Sequence, residues 1–169
     1  MSVRVAVTGT PGTGKSSATE LLEDEFEVVH LNEAVREEGL WTERDEDRDS
    51  LVVDLEAAAD HLGDWEGIVE SHLAHYLDAE RVVVLRCRPD VLEQRLRERG
   101  EPEAKARENA ESEALDVILS EAVQRHGRDA VYEIDTTEQS PAAVADAIRA
   151  VVAGEREPSA GTVDFTDYL

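Results

Sequence analysis

The sequence predicts an α/β protein built on a mostly parallel sheet, and three observations carry that expectation. Short β-branched runs alternate with longer helical stretches along most of the 169 residues. The run from Val82 to Leu85 is continuously apolar, as a strand covered on both faces must be. A glycine-rich string, Gly9-Thr10-Pro11-Gly12-Thr13-Gly14-Lys15-Ser16, stands between the first strand and the first helix.

Taken in order, Val3 to Thr8 is the first predicted strand, leading through the glycine string into a helix from Lys15 to about Asp24. Val28 to Leu31 is a second short strand, Gly67 to Ser71 a third, Val82 to Leu85 a fourth and Val131 to Asp135 a fifth. Helices are expected over Asn32 to Glu38 and Ser50 to His61, bracketing a polar loop from Trp41 to Arg48. Pro89 suits the first turn of a helix that runs to about Arg99 and stops at Gly100. Pro102 opens a long helix with Ala114, Leu115, Ile118, Leu119 and Ala122 as its apolar stripe. Pro141 opens the last helix, Ala142 to Val152. Residues 155–169, with Pro158, Ser159 and Gly161, read as a flexible C-terminal tail on a single domain of residues 1–154.

Composition bounds the function. The 40 acidic residues outnumber 17 basic ones, for a formal net charge of −23. Such a surface repels nucleic acid and membranes, so neither is an expected partner. The acids are spread through amphipathic segments and not gathered in one tail, which suits a surface adapted to concentrated salt and hence a halophilic source. No apolar run approaches membrane-spanning length and the N-terminus lacks a signal-peptide layout, so a soluble cytoplasmic protein is expected. The single cysteine, Cys87, reads as an inert core thiol at a strand end. His75 reads as structural or exposed, while His30, His61 and His126 have no partner that sequence identifies.

The glycine string carries the chemistry. Polyphosphate oxygens need several converging backbone N–H groups, and glycine lets the chain turn sharply without a side chain in the way. Gly12, Thr13, Gly14, Lys15, Ser16 and Ser17 are therefore the candidate phosphate-binding residues. Lys15 can reach the β- and γ-phosphates of ATP, and the Ser16 hydroxyl can ligate Mg2+. Such a loop needs a carboxylate near the cation at the end of a neighbouring strand, and Glu70 closes the apolar run Gly67-Ile68-Val69. His72 would project into the same region. Arg95, Arg97 and Arg99 by themselves read as a helix surface pairing with local glutamates.

Together with the glycine string, Val35-Arg36-Glu37-Glu38-Gly39-Leu40, Val69-Glu70-Ser71-His72, Arg95-Leu96-Arg97-Glu98-Arg99-Gly100 and Asn109-Ala110-Glu111-Ser112-Glu113 resemble, in order, the adenylate kinase isoenzyme 6 family. The resemblance runs from Val3 to about Ala122. It implies a P-loop nucleoside triphosphate hydrolase fold with a five-stranded sheet, an acceptor-binding insertion around residues 31–54 and a short lid near 99–109. On this mapping Lys15, Glu70 and His72 are catalytic, Ser16 and Glu70 hold Mg2+, Arg99 contacts the donor nucleotide and Arg36 falls in the acceptor region. The family's usual acid-x-His motif carries Asp where this chain has Glu70, and the acceptor loop is shorter and more charged.

Two activities follow from the resemblance. One is phosphoryl transfer from Mg-ATP to AMP or another monophosphate, with accompanying ATP hydrolysis. The other is ATP-driven assembly of the small ribosomal subunit, in partnership with the ribosomal protein uS11 and the pre-ribosomal small subunit. A third reading, a shikimate- or gluconate-type kinase, is disfavoured because Leu31-Asn32 lacks the Asp-x-Asp expected of the shikimate type.

Overall fold

In the computed structural model, which describes residues 3–45 and 50–169, β1 (Arg4–Gly9) is the middle strand of the main sheet. It feeds through the glycine string into α1 (Lys15–Glu20). Then follow β2 (Val28–His30), α2 (Leu31–Glu38), β3 (Trp41–Asp45), β4 (Ser50–Val53) and α3 (Leu55–Leu62). The second half runs β5 (Gly67–Glu70), β6 (Arg81–Arg86), α4 (Pro89–Glu98), α5 (Glu103–Ala114), α6 (Val117–His126), β7 (Val131–Asp135) and α7 (Pro141–Val152). Among the described residues the main sheet is five-stranded, in the order β2-β5-β1-β6-β7, and every pairing in it is parallel. All five strands predicted from sequence are present in it.

Alternation along β1 divides the core. Val5 and Val7 face one side, where they pack with Ala18 and Leu22 and with Val144 and Ile148 of α7. Ala6 faces the other side, with Leu31 and Val35 of α2, Ala58 of α3, and Leu119 and Ala122 of α6. A parallel sheet buried on both faces explains why its central strands read as unbroken apolar runs.

The chain departs from the sequence expectation in four places. The helix expected to reach Asp24 ends at Glu20 and tightens into turns, with Leu21 and Leu22 donating to Ala18 and Thr19. The Thr19 hydroxyl bonds back to the Lys15 carbonyl at 2.8 Å, and three consecutive acids, Glu23 to Glu25, oppose the negative end of the helix dipole. Second, Ser50–Val53 is a strand, antiparallel to Trp41–Asp45, where a polar loop and a helix start were expected. The β-branched Val52 and Val53 favour that pairing, and α3 starts only after Asp54, whose carboxylate accepts from the Ala57 amide at 3.0 Å. Glu46, Asp47 and Arg48 of the expected polar loop, within the expected acceptor insertion, lie outside the described residues.

Third, the long helix is broken into α5 and α6 at Asp116, a non-glycine residue at φ 56°. Its carboxylate is held by the Arg86 guanidinium, and the break leaves Leu115 59% exposed, off the apolar stripe predicted for it. Fourth, the segment expected to be a free tail is docked on the sheet. The Ser159 amide donates to the Val131 carbonyl at 3.0 Å and the Ser159 hydroxyl accepts from the Glu133 amide at 2.9 Å, covering the β7 edge. The Gly161 and Thr162 amides donate to the Glu133 carboxylate, and Phe165 lies over the Arg86 guanidinium, 5.4 Å to the ring centroid.

Arg86 is the polar centre of this half. Fully buried, it donates to Glu113 Oε2 at 3.2 Å, to Glu133 Oε2 at 2.8 Å, to the Glu113 carbonyl at 3.0 Å and to Asp116. Glu113 also accepts from the Cys87 amide at 2.8 Å and the Thr10 hydroxyl at 3.1 Å, so the tail, α5 and the glycine loop share one network. Arg86→Met should lower stability by roughly 3–5 kcal/mol, because it strands two buried carboxylates. Truncation after Gly154 should cost less, about 2–3 kcal/mol, by removing donors to Glu133. Denaturant unfolding in multimolar KCl measures both, and an unchanged midpoint for the truncated chain would contradict the docked tail.

Candidate active site

The loop from Gly9 to Gly14 owes its path to two close approaches. A Cβ on Gly9 (φ 150°) would lie 2.7 Å from the Leu85 carbonyl of β6, and one on Gly12 (φ 95°) 2.8 Å from Leu92 of α4. The loop carbonyls are taken up by side chains. Lys15 Nζ donates to Gly9 and Thr10 at 2.9 and 3.1 Å, and the Thr13 hydroxyl donates to Thr10 at 2.8 Å. Thr136 donates to Thr13 at 2.8 Å, and Arg95 to Gly12 at 3.4 Å. With the oxygens tied back, the free N–H groups of the first turn of α1 are the polar groups left to meet an anion.

Lys15 is nearly buried. Desolvation, partly offset by the Glu70 charge, lowers its pKa to about 8, with Arg99 lowering it further and Glu113 raising it. Glu70, at the C-terminal end of β5 and 3% exposed, accepts from the Ser16 hydroxyl on Oε1 at 3.0 Å. A hydroxyl and a carboxylate brought together in this way are hard-oxygen groups of the kind that suits Mg2+.

The same Oε1 lies 2.8 Å from His30 Nδ1, and His30 Nε2 lies 2.8 Å from Glu23 Oε1. Burial alone would lower the His30 pKa, but the hydrogen bonds to Glu70 and then Glu23 outweigh it and raise the value above its ordinary one. Sequence reasoning left His30 without a partner. Its signal was positional, since it ends a strand that runs parallel to the one ending at Glu70.

His72 is half-buried beyond Glu70, with Nδ1 3.5 Å from the Asn32 amide nitrogen. Burial pushes its pKa down to about 4, helped by the charge of Lys15 and then of His75 and Lys105, so the ring is neutral at neutral pH. His75 is buried behind the loop, with Nδ1 2.7 Å from the Thr8 hydroxyl and Nε2 3.2 Å from Glu121, which fits a structural role. Cys87 is buried and its thiol is pushed up to about 11 by desolvation, consistent with an inert core residue.

On the other side of the loop a cavity of about 330 Å3 is lined by Gly12, Thr13, Gly14 and Ser17 with Arg95, Arg99, Thr136, Gln139, Pro141 and Val144. It therefore joins the candidate phosphate residues to Arg99 at the end of α4. Arg99 is exposed there, 3.7 Å from Glu101. Arg95 is no mere surface residue, because its guanidinium donates to Thr136 and Thr137 carbonyls at 3.0 and 3.3 Å and braces the cavity wall. Thr136 and Gln139 follow the C-terminal end of β7, where open sheets bind ligands, and that rule was the available signal for them. Arg36 is exposed on α2 and is not part of this lining.

A five-stranded parallel sheet with a phosphate loop between β1 and α1 defines the class of P-loop kinases. Residues 5–116 match the AAA domain family. A protein of Natronomonas pharaonis named "Putative adenylate kinase" is 67% identical over 168 residues, covering 99% of this chain and 100% of that protein. One of the same name from Halobacterium salinarum is 60% identical over 169 residues, with 99% and 100% covered. The crystal structure of shikimate kinase from Bacteroides thetaiotaomicron superposes with a TM-score of 0.61 at 18% identity, covering 91% of this chain and 99% of that one, and shares the fold. The chain belongs to the archaeal adenylate kinase family of P-loop proteins.

The neutral His72 has a consequence for stability. The unfolded chain takes up this proton near the ordinary value of 6.5 and the folded chain only near 4, so stability is full above about pH 6.5 and falls as pH drops toward 4. His72→Asn should flatten that part of the stability–pH curve, measured by denaturant unfolding at constant multimolar KCl. An unchanged slope would mean that His72 is not desolvated.

Proposed function

We propose that this protein is a Mg2+-dependent adenylate kinase that transfers the γ-phosphoryl group of ATP to AMP, giving two ADP. The observation that supports it most is the meeting of Lys15, Ser16 and Glu70 at the mouth of the loop, with the Ser16 hydroxyl 3.0 Å from the Glu70 carboxylate. In this reading the amides of Gly12, Thr13, Gly14, Lys15, Ser16 and Ser17 cradle the triphosphate, and the cavity bounded by Arg95, Thr136 and Val144 takes the rest of the donor. Ser16 and Glu70 would hold Mg2+, which would supply charge neutralisation to the triphosphate.

Lys15 releases the Gly9 and Thr10 carbonyls and turns to the phosphates, whose negative charge favours its protonated form. Arg99, exposed at the end of α4, covers the transferring group and stabilises the charge that develops on it. His72, neutral, accepts a hydrogen bond from the attacking water of the hydrolysis reaction, and Arg36 holds the acceptor monophosphate with its planar fork. Alignment and charge neutralisation supply most of the rate.

The link between α4 and α5 is only residues 99–102, and residues 103–109 of the expected lid form the start of α5. So short a lid excludes water incompletely, which supports ATP hydrolysis as a companion activity. The same feature keeps the second reading, an ATP-driven assembly factor acting with uS11 on the pre-ribosomal small subunit in the cytoplasm. No helix among the described residues is long and apolar enough to cross a membrane.

Phosphoryl transfer from Mg-ATP to a panel of monophosphates, beside ATP hydrolysis alone, separates the two readings. AMP-dependent ADP formation is expected, reduced at least about a hundredfold in Lys15→Ala by loss of phosphate charge stabilisation. Hydrolysis indifferent to every monophosphate would sink the kinase and favour the assembly ATPase.

A further inference from the structure

We propose that His30 is a positioning residue of the cation site, holding the Glu70 carboxylate in place beside Ser16 and tying it to Glu23. This rests on the reading of Glu70 as the carboxylate of the Mg-ATP site.

The placement begins in the sheet. β2 and β5 run parallel, and His30 and Glu70 are register partners at their C-terminal ends, so both side chains emerge on one face beside the loop. The side chains are 14% and 4% exposed. A carboxylate oxygen only accepts, so the ring nitrogen facing it must donate. Glu70 Oε1 thus receives two hydrogen bonds, from Ser16 at 3.0 Å and from His30 at 2.8 Å. Its two lone-pair directions are then used, the carboxylate plane is fixed, and Oε2 is the oxygen left to serve the cation site.

The far nitrogen of His30 is anchored in turn, 2.8 Å from Glu23 in the turns that follow α1. The ring is consequently held at both ends and cannot rotate without breaking a charge-assisted bond. A chain Glu23–His30–Glu70–Ser16 therefore spans from the surface to the cation site, linking β2, β5 and α1. Outer-shell partners of this kind set ligand orientation, and their loss weakens cation affinity or activity by about 10- to 100-fold. The role needs a donor at the position of Nδ1, which the amide of asparagine can supply, and no change of protonation.

The test is binding of a fluorescent ATP analogue to the full chain in multimolar KCl, over a series of Mg2+ concentrations. Wild type, His30→Ala, His30→Asn and Glu70→Gln are compared, with thermal unfolding alongside. His30→Ala is expected to raise the Mg2+ concentration for half-maximal binding about tenfold while Mg2+-free binding stays within about twofold. His30→Asn is expected to recover most of the loss. Glu70→Gln shifting the Mg2+ dependence while His30→Ala leaves it unchanged would overturn the proposal and spare the site reading. Equal impairment in His30→Ala and His30→Asn would also overturn it, because a merely structural contact is lost in both. An unshifted Glu70→Gln would remove the site reading itself, and the proposal with it.

Discussion

A backbone loop can turn its N–H groups toward a polyphosphate only if its carbonyl oxygens are satisfied elsewhere. Here four carbonyls between Gly9 and Thr13 are occupied by Lys15, Thr13, Arg95 and Thr136, which come from the loop, α1, α4 and the end of β7. Each donor is placed by a different element, so the loop's shape depends on the whole sheet order. β6 must lie against β1 for Leu85 to meet Gly9, and α4 must lie across the loop for Leu92 and Leu96 to meet Gly12. The Arg86–Glu113–Thr10 network fixes the loop from beneath. Thus the packing that stabilises the fold is also what shapes the candidate anion site.

Charge is arranged on two scales. Over the whole surface, acids dominate and suit concentrated salt, where the Debye length falls to about 3 Å at 1 M. The two relatives from Natronomonas and Halobacterium are proteins of halophilic archaea, in keeping with that surface. Within the folded chain, some cations and carboxylates are paired at short range and protected from screening. Arg86 meets three carboxylates, and His30 lies between two. Local pairing therefore keeps its strength in solvent that erases the long-range field.

The five main strands were legible because a parallel sheet buried on both faces writes continuous β-branched runs into the chain. The glycine string and Glu70 stood out as candidates because phosphate chemistry needs those residue types between a strand and a helix, and at a strand end. What sequence hid was tertiary. Asp116 breaks a helix without glycine or proline because Arg86, thirty positions earlier, captures its carboxylate. The tail looked free because its partners, Glu133 and Arg86, belong to strands distant in sequence. His30 looked solitary for the same reason, since only the register of β2 on β5 sets it against Glu70. Arg95 resembled a surface residue because nothing local shows that its neighbours are the carbonyls of Thr136 and Thr137.

The central claim is that one loop holds the triphosphate while Ser16 and Glu70 share the cation beside it. A crystal structure with a non-hydrolysable ATP analogue and Mn2+, read by anomalous scattering, tests it most directly. The account predicts phosphate oxygens on the amides of residues 12–17 and a single strong anomalous peak between the Ser16 hydroxyl and the Glu70 carboxylate. Triphosphate bound away from the loop, or a cation with neither residue near it, would contradict the account.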